Sequence, residues 1–172
     1  MGALVHKLTN CNIYADGENY LGRADEVDVP EAVGKMVEHK ALGMVGTTEM
    51  FAGIDKMEGR IKWNSPYADA YKLSADFTKT RQIDVRGSVD VYTAEGRQEE
   101  QAYLVSMQCQ FKKVPGANFK QHEQAEGETG MTVHAIRMEL NGDLLYEIDV
   151  FANIYNVGGE DLLATYRENL GI

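Results

Sequence analysis

Apolar and polar residues alternate with a period of two along much of this chain, most clearly from Thr80 to Thr93. Ile83, Val85, Val89 and Val91 fall on one side, with Gly87 among them. Gln82, Asp84, Arg86, Ser88, Asp90 and Tyr92 fall on the other. Successive side chains of a strand point to opposite faces, so the pattern predicts a long strand with one dry and one wet face. Glu100 to Val114 repeats it, with Tyr103, Val105, Met107, Cys109 and Phe111 opposite Ser106, Gln108, Gln110 and Lys112. A short polar loop over 94–99 joins the two into a hairpin. Met131 to Leu140 alternates again and puts His134, Ile136, Met138 and Leu140 together. Asn141-Gly142 is then a two-residue hairpin turn into a last strand-like run, Leu144 to Val157.

The remaining stretches are less regular. Residues 1–9 show little periodicity and read as an N-terminal arm. Asn12 to Leu21 is a hairpin turning on Asp16-Gly17. Its Asp16, Glu18 and Asn19 could also be set out as calcium ligands, but the twelve-position pattern of such a loop is missing. Glu26 to Glu38 alternates loosely, and Pro30 marks an edge, a bulge or a bend. Lys40 to Gly53, rich in glycine and methionine, reads as a long loop, and Ile54 to Trp63 as a weaker strand. Ser65-Pro66 offers N-cap and first-turn chemistry for a short helix with Tyr67, Ala70, Tyr71 and Ser74 on one face. Pro115 to Gly130 is a hydrophilic connector, with three acids and no base from Glu123 to Glu128. Gly158-Gly159 breaks the final strand run. Glu160 and Asp161 sit where a helix N-terminus favours acid, and Leu163, Tyr166 and Leu170 form one apolar stripe. Arg167 and Gly171 suit the end of that helix. So short a helix has to dock somewhere, on its own domain or on a neighbour.

These elements predict a mainly β chain: an antiparallel sandwich or barrel with one short internal helix, a long loop and a C-terminal helix or arm over 158–172. The 172 residues fit a single domain spanning 1–172, with 44% apolar and 26% charged residues as in ordinary globular chains. No run is long enough to span a membrane and the first residues hold no signal-peptide core, which implies a cytoplasmic origin without membrane insertion. Seventeen basic against 27 acidic residues leave a net charge of −10, which disfavours a tight nucleic-acid reader. Cys11 and Cys109 form neither a CxxC nor a zinc spacing. His6, His39, His122 and His134 share no ligand spacing, there is no GxSxG, and Gly158-Gly159 lacks the lysine of a phosphate loop. The expectation is a chain without catalytic, cofactor or metal site.

The segment EIDVFANIYNVGGEDLLATYRENLGI resembles the C-terminal signature of the major tail tube proteins of contractile-tailed, P2-like phages and of R-type bacteriocin tubes. The matching features are Glu147-Ile148-Asp149, Asn153, the Val157-x-Gly159-x-Asp161-x-Leu163 spacing, Arg167 and the closing Asn169-Leu170-Gly171-Ile172. LTNCNIYADGENYLG is similar to the family's opening pattern. Gly43-Met44 matches a Gly-Met of its first long loop, without the Pro that often follows. Gly158 stands where the family usually has Asn.

The resemblance implies hexameric rings stacked into a hollow tube, whose strands form a continuous lumen wall. Sheath lies outside, baseplate and tape measure proteins are further partners, and DNA passes within. The protein would be assembled in the host cytoplasm as part of a virion tail. Leu42, Met44, Met50, Phe51, Leu163, Tyr166 and Leu170 are the candidate subunit-interface residues. Gln82, Asp84, Ser88, Asp90, Gln108 and Gln110 are the candidate lumen-lining residues. Ring closure would also give exposed strand edges their partners. The competing reading is a small cytoplasmic β-barrel enzyme or ligand-binding protein with an apolar pocket inside.

Overall fold

The computed structural model describes residues 3–117, 121 and 125–172. The two best alternating stretches form its centre. β7 (Thr80–Thr93) and β8 (Gly96–Lys113) pair antiparallel, with Thr93 opposite Gly96, so the expected polar loop is a tight turn and β8 starts earlier than its pattern does. β9 (Gly127–Leu140) lies on the far edge of β8, and β10 (Asp143–Asp149) follows it through Asn141-Gly142. Those two turn residues sit at φ 52° and 88°, the left-handed pair that matches strand twist in a two-residue hairpin. β1 (Val5–Ala15) covers the other edge of β7 and turns at Asp16-Gly17 into the two-residue β2 (Glu18–Asn19). The segment expected as an arm is therefore a strand from Val5 onward, because β7 extends far enough to pair with it.

Cross-strand register shows why the alternation carries the fold. Ala15, Ile83, Met107, Ile136 and Ile148 form one inward row across five strands. Ile13, Val85, Val105, Met138 and Tyr146 form the next. Burying a side chain of this size contributes about 1.5–3 kcal/mol before ordering costs. The row between them faces outward: Tyr14, Asp84, Ser106, Arg137 and Glu147.

β9 changes neighbours along its length. Residues 127–133 pair with β6 (Met57–Trp63), and residues 135–140 pair with β10. The switch falls at His134, which a register shift opposite Gln108 and Cys109 leaves unpaired. The shift inverts the alternation, so Met131 and Val133 are buried before it and Ile136 and Met138 after it. His134 therefore does not continue the inward face of Ile136 and Met138. It is half-buried, with its ring edge-on to Phe151 at 5.0 Å.

β6 also pairs with β3 (Ala24–Asp28) and brings Met57, Ile61 and Trp63 onto the same core. The stretch read as a weaker strand is thus a central one. Pro30 is buried just after β3 and separates it from β4 (Gly34–His39), which belongs to a different sheet. The helix α1 (Ala68–Ala75) buries Ala70 and Ser74; its N-cap is Tyr67, two residues later than Ser65, and no side chain caps it.

Two further expectations are corrected. Lys40 to Gly53 is not one long loop: β5 (Thr48–Ile54) pairs with β4 as a separate two-stranded sheet. Leu144 to Val157 is not one strand. After β10 the chain turns at 150–153, where Asp149 Oδ1 accepts from the backbone N–H groups of Phe151 and Ala152, and Asn153 has φ 52°. β11 (Ile154–Val157) then returns along β10, and Gly158-Gly159 turns it into β12 (Glu160–Asp161). Glu160 and Asp161 are therefore strand residues, and α2 (Ala164–Leu170) begins after them. Gly171, at φ 73°, ends α2 in the left-handed conformation expected of it. His122 and Glu123 of the hydrophilic connector lie outside the described residues, and the connector's end is already strand from Gly127.

Candidate functional site

The β4–β5 hairpin exposes apolar side chains that a lone subunit leaves in water. Met36, Val37, Met50 and Phe51 are about half exposed, at 49–52%, and Leu42 and Val45 at its tip are 105% and 108% exposed. Phe51 lies against Gly34, where the two strands leave the main body. Two strands alone are marginal in water, so a hairpin of this composition needs a covering surface.

The C-terminal segment offers the second apolar surface. Among the described residues none of α2 is buried, and Tyr166 and Leu170 are 49% and 54% exposed. Polar contacts hold the helix instead. Arg167 Nη1 donates to the Asn153 carbonyl at 2.8 Å, and Nη2 meets Asp161 Oδ2 at 2.5 Å. The charge-assisted bond to Arg167 holds the Asp161 carboxyl below its usual value, and Asp161 raises Arg167 in turn. Asp161 Oδ1 also accepts from the Leu163 backbone N–H at the helix start. The apolar stripe is thus held in place and left uncovered. Between it and the hairpin base lies a groove of about 380 Å³, walled by Phe51 and Ile54, by Val150 and Ile154, and by Leu163 and Tyr166.

The outward face of the main sheet is polar and largely self-neutralised. Arg137 bonds Glu139 at 2.6 Å and Glu147 at 3.0 Å. The Arg86 guanidinium sits 4.8 Å from the centroid of the Tyr14 ring. Asp16, Glu18 and Asn19 were the alternative calcium set. Asp16 instead meets the Gln82 N–H and Arg81, and Asn19 Oδ1 accepts from Asn12 and Leu21.

The model of the family described as phage tail tube protein FII matches residues 5–171. The chain belongs to this family. It is 27% identical to the tail tube protein of Escherichia phage P2 over 173 residues, covering 99% of both chains. It also resembles two solved chains of an extracellular contractile injection system in the extended state. A chain of the PVC sheath–tube complex superposes with a TM-score of 0.52 at 11% identity, covering 75% of this chain and 87% of the other. A chain of the PVC sheath/tube terminator gives 0.53 at 11% identity, covering 75% and 92%. At that identity the likeness concerns the fold, which is mainly β and antiparallel with two short helices among the described residues.

Within this tail tube family member the predicted interface residues divide into two groups. Phe51, Leu163 and Tyr166, far apart in sequence, meet in the groove. Leu42 and Met44 lie in the hairpin turn, Met50 on β5 and Leu170 at the end of α2, all exposed. The predicted lumen residues share the outward face, with Gln82, Gln108 and Gln110 exposed and Asp84 and Ser88 half-buried.

Asp90 departs from them. It is 7% exposed, bonded to Arg97 at 2.8 Å and accepting from Thr9 Oγ1 at 2.9 Å. The bond to Arg97 lowers its carboxyl. The Thr9 hydroxyl and the Arg97 guanidinium close over its carboxylate, so Asp90 does not face open water as its place in the alternation suggested. Sequence reasoning missed Val150 and Ile154, because nothing in an unbroken apolar run marks the turn between them.

Proposed function

We propose that this chain is the repeating subunit of the inner tube of a contractile tail or tail-like particle. Copies close into hexameric rings, and the rings stack into a conduit through which DNA is ejected into the host. The outward row Tyr14, Asp84, Ser106, Arg137 and Glu147, flanked by Gln82 and Gln108, lines the lumen. Sheath surrounds the tube, and baseplate and tape measure proteins complete the tail. The particle is assembled in the host cytoplasm and the subunit ends in the virion tail. The role is structural rather than catalytic.

The observation that carries this reading is the β4–β5 hairpin, whose apolar side chains stay half to fully exposed in the single chain. A tube supplies the missing cover at every subunit, since identical copies present both surfaces. The alternative of a ligand-binding barrel needs an open interior, and Met57, Trp63, Met107 and Phe111 occupy that space with 2% exposure or less. Negative-stain imaging of the purified chain tests the proposal. Rings or tubes are expected, and a monodisperse monomer at every salt and concentration tried would overturn it.

A further inference from the structure

Arg86 stands apart from the other arginines of β7, β8 and β9. Arg81 meets Asp16 at 2.9 Å, Arg97 meets Asp90 at 2.8 Å and Arg137 meets Glu147 at 3.0 Å. Arg86 is exposed on the outward face of β7 and pairs with no carboxylate among the described residues. The next acid on that face of the strand is Asp84. Its two oxygens take the Gln82 side-chain amide instead, each at 3.2 Å. No acid lies directly across from Arg86 either: its partners in register are Asn12 on β1 and Leu104 on β8.

The fold gives this cation a platform in place of a counter-ion. The guanidinium carbon lies 4.8 Å from the centroid of the Tyr14 ring on the neighbouring strand. Tyr14 is half-buried and fixed in β1 opposite Asp84. Stacking engages one face of a guanidinium and leaves its N–H edges open. Those edges form a planar fork that matches two oxygens of a phosphate, and a braced fork loses less freedom on binding than a loose side chain. A cation that is held in place and left without a counter-ion is set to meet an anion from outside the chain.

We propose that Arg86, braced on Tyr14, is a phosphodiester-contact site that touches the backbone of DNA in the lumen once per subunit. The inference rests on the tube reading, with this face inward, and names the residue that meets the cargo. Backbone contacts position a duplex without reading its sequence. A single contact per subunit, with Asp84 close by on the same strand, breaks readily. The wall therefore guides DNA past each ring and does not retain it.

Ejection kinetics test the site, with particles built from wild-type, Arg86→Gln, Arg86→Lys or Tyr14→Leu subunits and measured at low and high salt. Wild-type ejection should slow as salt falls, because a phosphate contact tightens when counterion release gains more. Arg86→Gln should eject severalfold faster at low salt and lose most of the salt dependence. Arg86→Lys should keep that dependence, and Tyr14→Leu, with the charge present but unbraced, should fall between. The denaturation midpoint of Arg86→Gln should match wild type, since the side chain pairs with no acid of its own chain. Equal rates and salt slopes for wild type and Arg86→Gln, in particles with normal tubes, overturn the contact and leave the tube reading intact. Salt-independent ejection by wild type overturns it without any variant. Arg86→Gln tails of altered length that eject normally would assign the arginine to an acidic protein segment inside the tube and overturn the phosphate contact. Wild-type protein that never forms rings or tubes overturns the tube reading, and the contact with it.

Discussion

Trp63 Nε1 donates to Thr129 Oγ1 at 2.7 Å, and both side chains are buried, at 2% and 0% exposure. The bond links β6 to β9 inside the core, where an unpaired indole N–H has no water to turn to. Thr129→Val keeps the shape and orphans the donor, so it should lower unfolding stability by about 1–3 kcal/mol. Thr129→Ser should recover most of that loss. Chemical denaturation of the three proteins reads the difference, and an unchanged midpoint for the valine variant would show that the bond contributes nothing.

The two cysteines should behave as different chemical species. Cys11 is exposed and Cys109 is fully buried in the core. Burial pushes the Cys109 thiol up to about 12, which leaves it unreactive at neutral pH. An aromatic disulfide reagent at pH 8 should therefore titrate one thiol in the native protein and the second only on unfolding. Two rapidly reacting thiols would contradict the burial of Cys109.

How far the sequence reveals this fold depends on whether a strand has one wet face. β7 and β8 do, and their inward rows are legible from alternation alone. β6 was hard to weigh because glycine interrupts it. A Cβ at Gly59 would come within 2.9 Å of the Asp28 carbonyl oxygen, so the glycine marks the close approach of β3 to β6 and not a weak strand. The β4–β5 hairpin hid behind glycine and methionine because both its faces are exposed in the single chain, and period two carries no signal without a buried side. The groove was half legible. The Leu163 and Tyr166 stripe is visible as helical spacing, but its meeting with Phe51 depends on two turns that only tertiary structure places together.

The polar attachment of α2 should be separable from global stability. Removing the Arg167 guanidinium in Arg167→Ala, or the charge in Asp161→Asn, should loosen the helix while the core rows stay intact. Amide exchange over 164–170 should accelerate strongly, with the denaturation midpoint nearly unchanged. The pH dependence follows from the lowered Asp161 carboxyl. A carboxylate whose folded value lies below its unfolded one stabilises the attachment fully above the unfolded value. That contribution is lost as pH falls through the folded one. The α2 resonances should thus hold their positions from neutral pH down to the ordinary carboxylate range and shift only below it. Asp161→Asn should remove that step. Equal exchange in wild type and both variants would mean that the ion pair does not hold the helix.

Asp84 and Asp90 lie on the same side of β7 by alternation, and their surroundings make opposite predictions. Asp84 is half-buried in the outward row, across from Tyr14 and Ser106, and its nearest polar partner is the Gln82 side-chain amide at 3.2 Å. A lysine there can extend into solvent, so Asp84→Lys should fold and assemble. If that row lines the lumen, each ring then gains a cationic collar. Cations on the wall bind phosphate and release counterions, so DNA ejection should slow, most of all at low salt. Asp90→Lys should fail earlier. Its ammonium would lie beside the Arg97 guanidinium, where the carboxylate now pairs with that cation and with Thr9. Loss of β1 protection in hydrogen exchange, and with it loss of tubes, is the expected result. Two measurements separate the cases: exchange on the free subunits, and ejection kinetics with particles carrying each variant. Asp84→Lys tubes that eject DNA normally at low salt but no longer bind sheath would move this face to the outside of the tube.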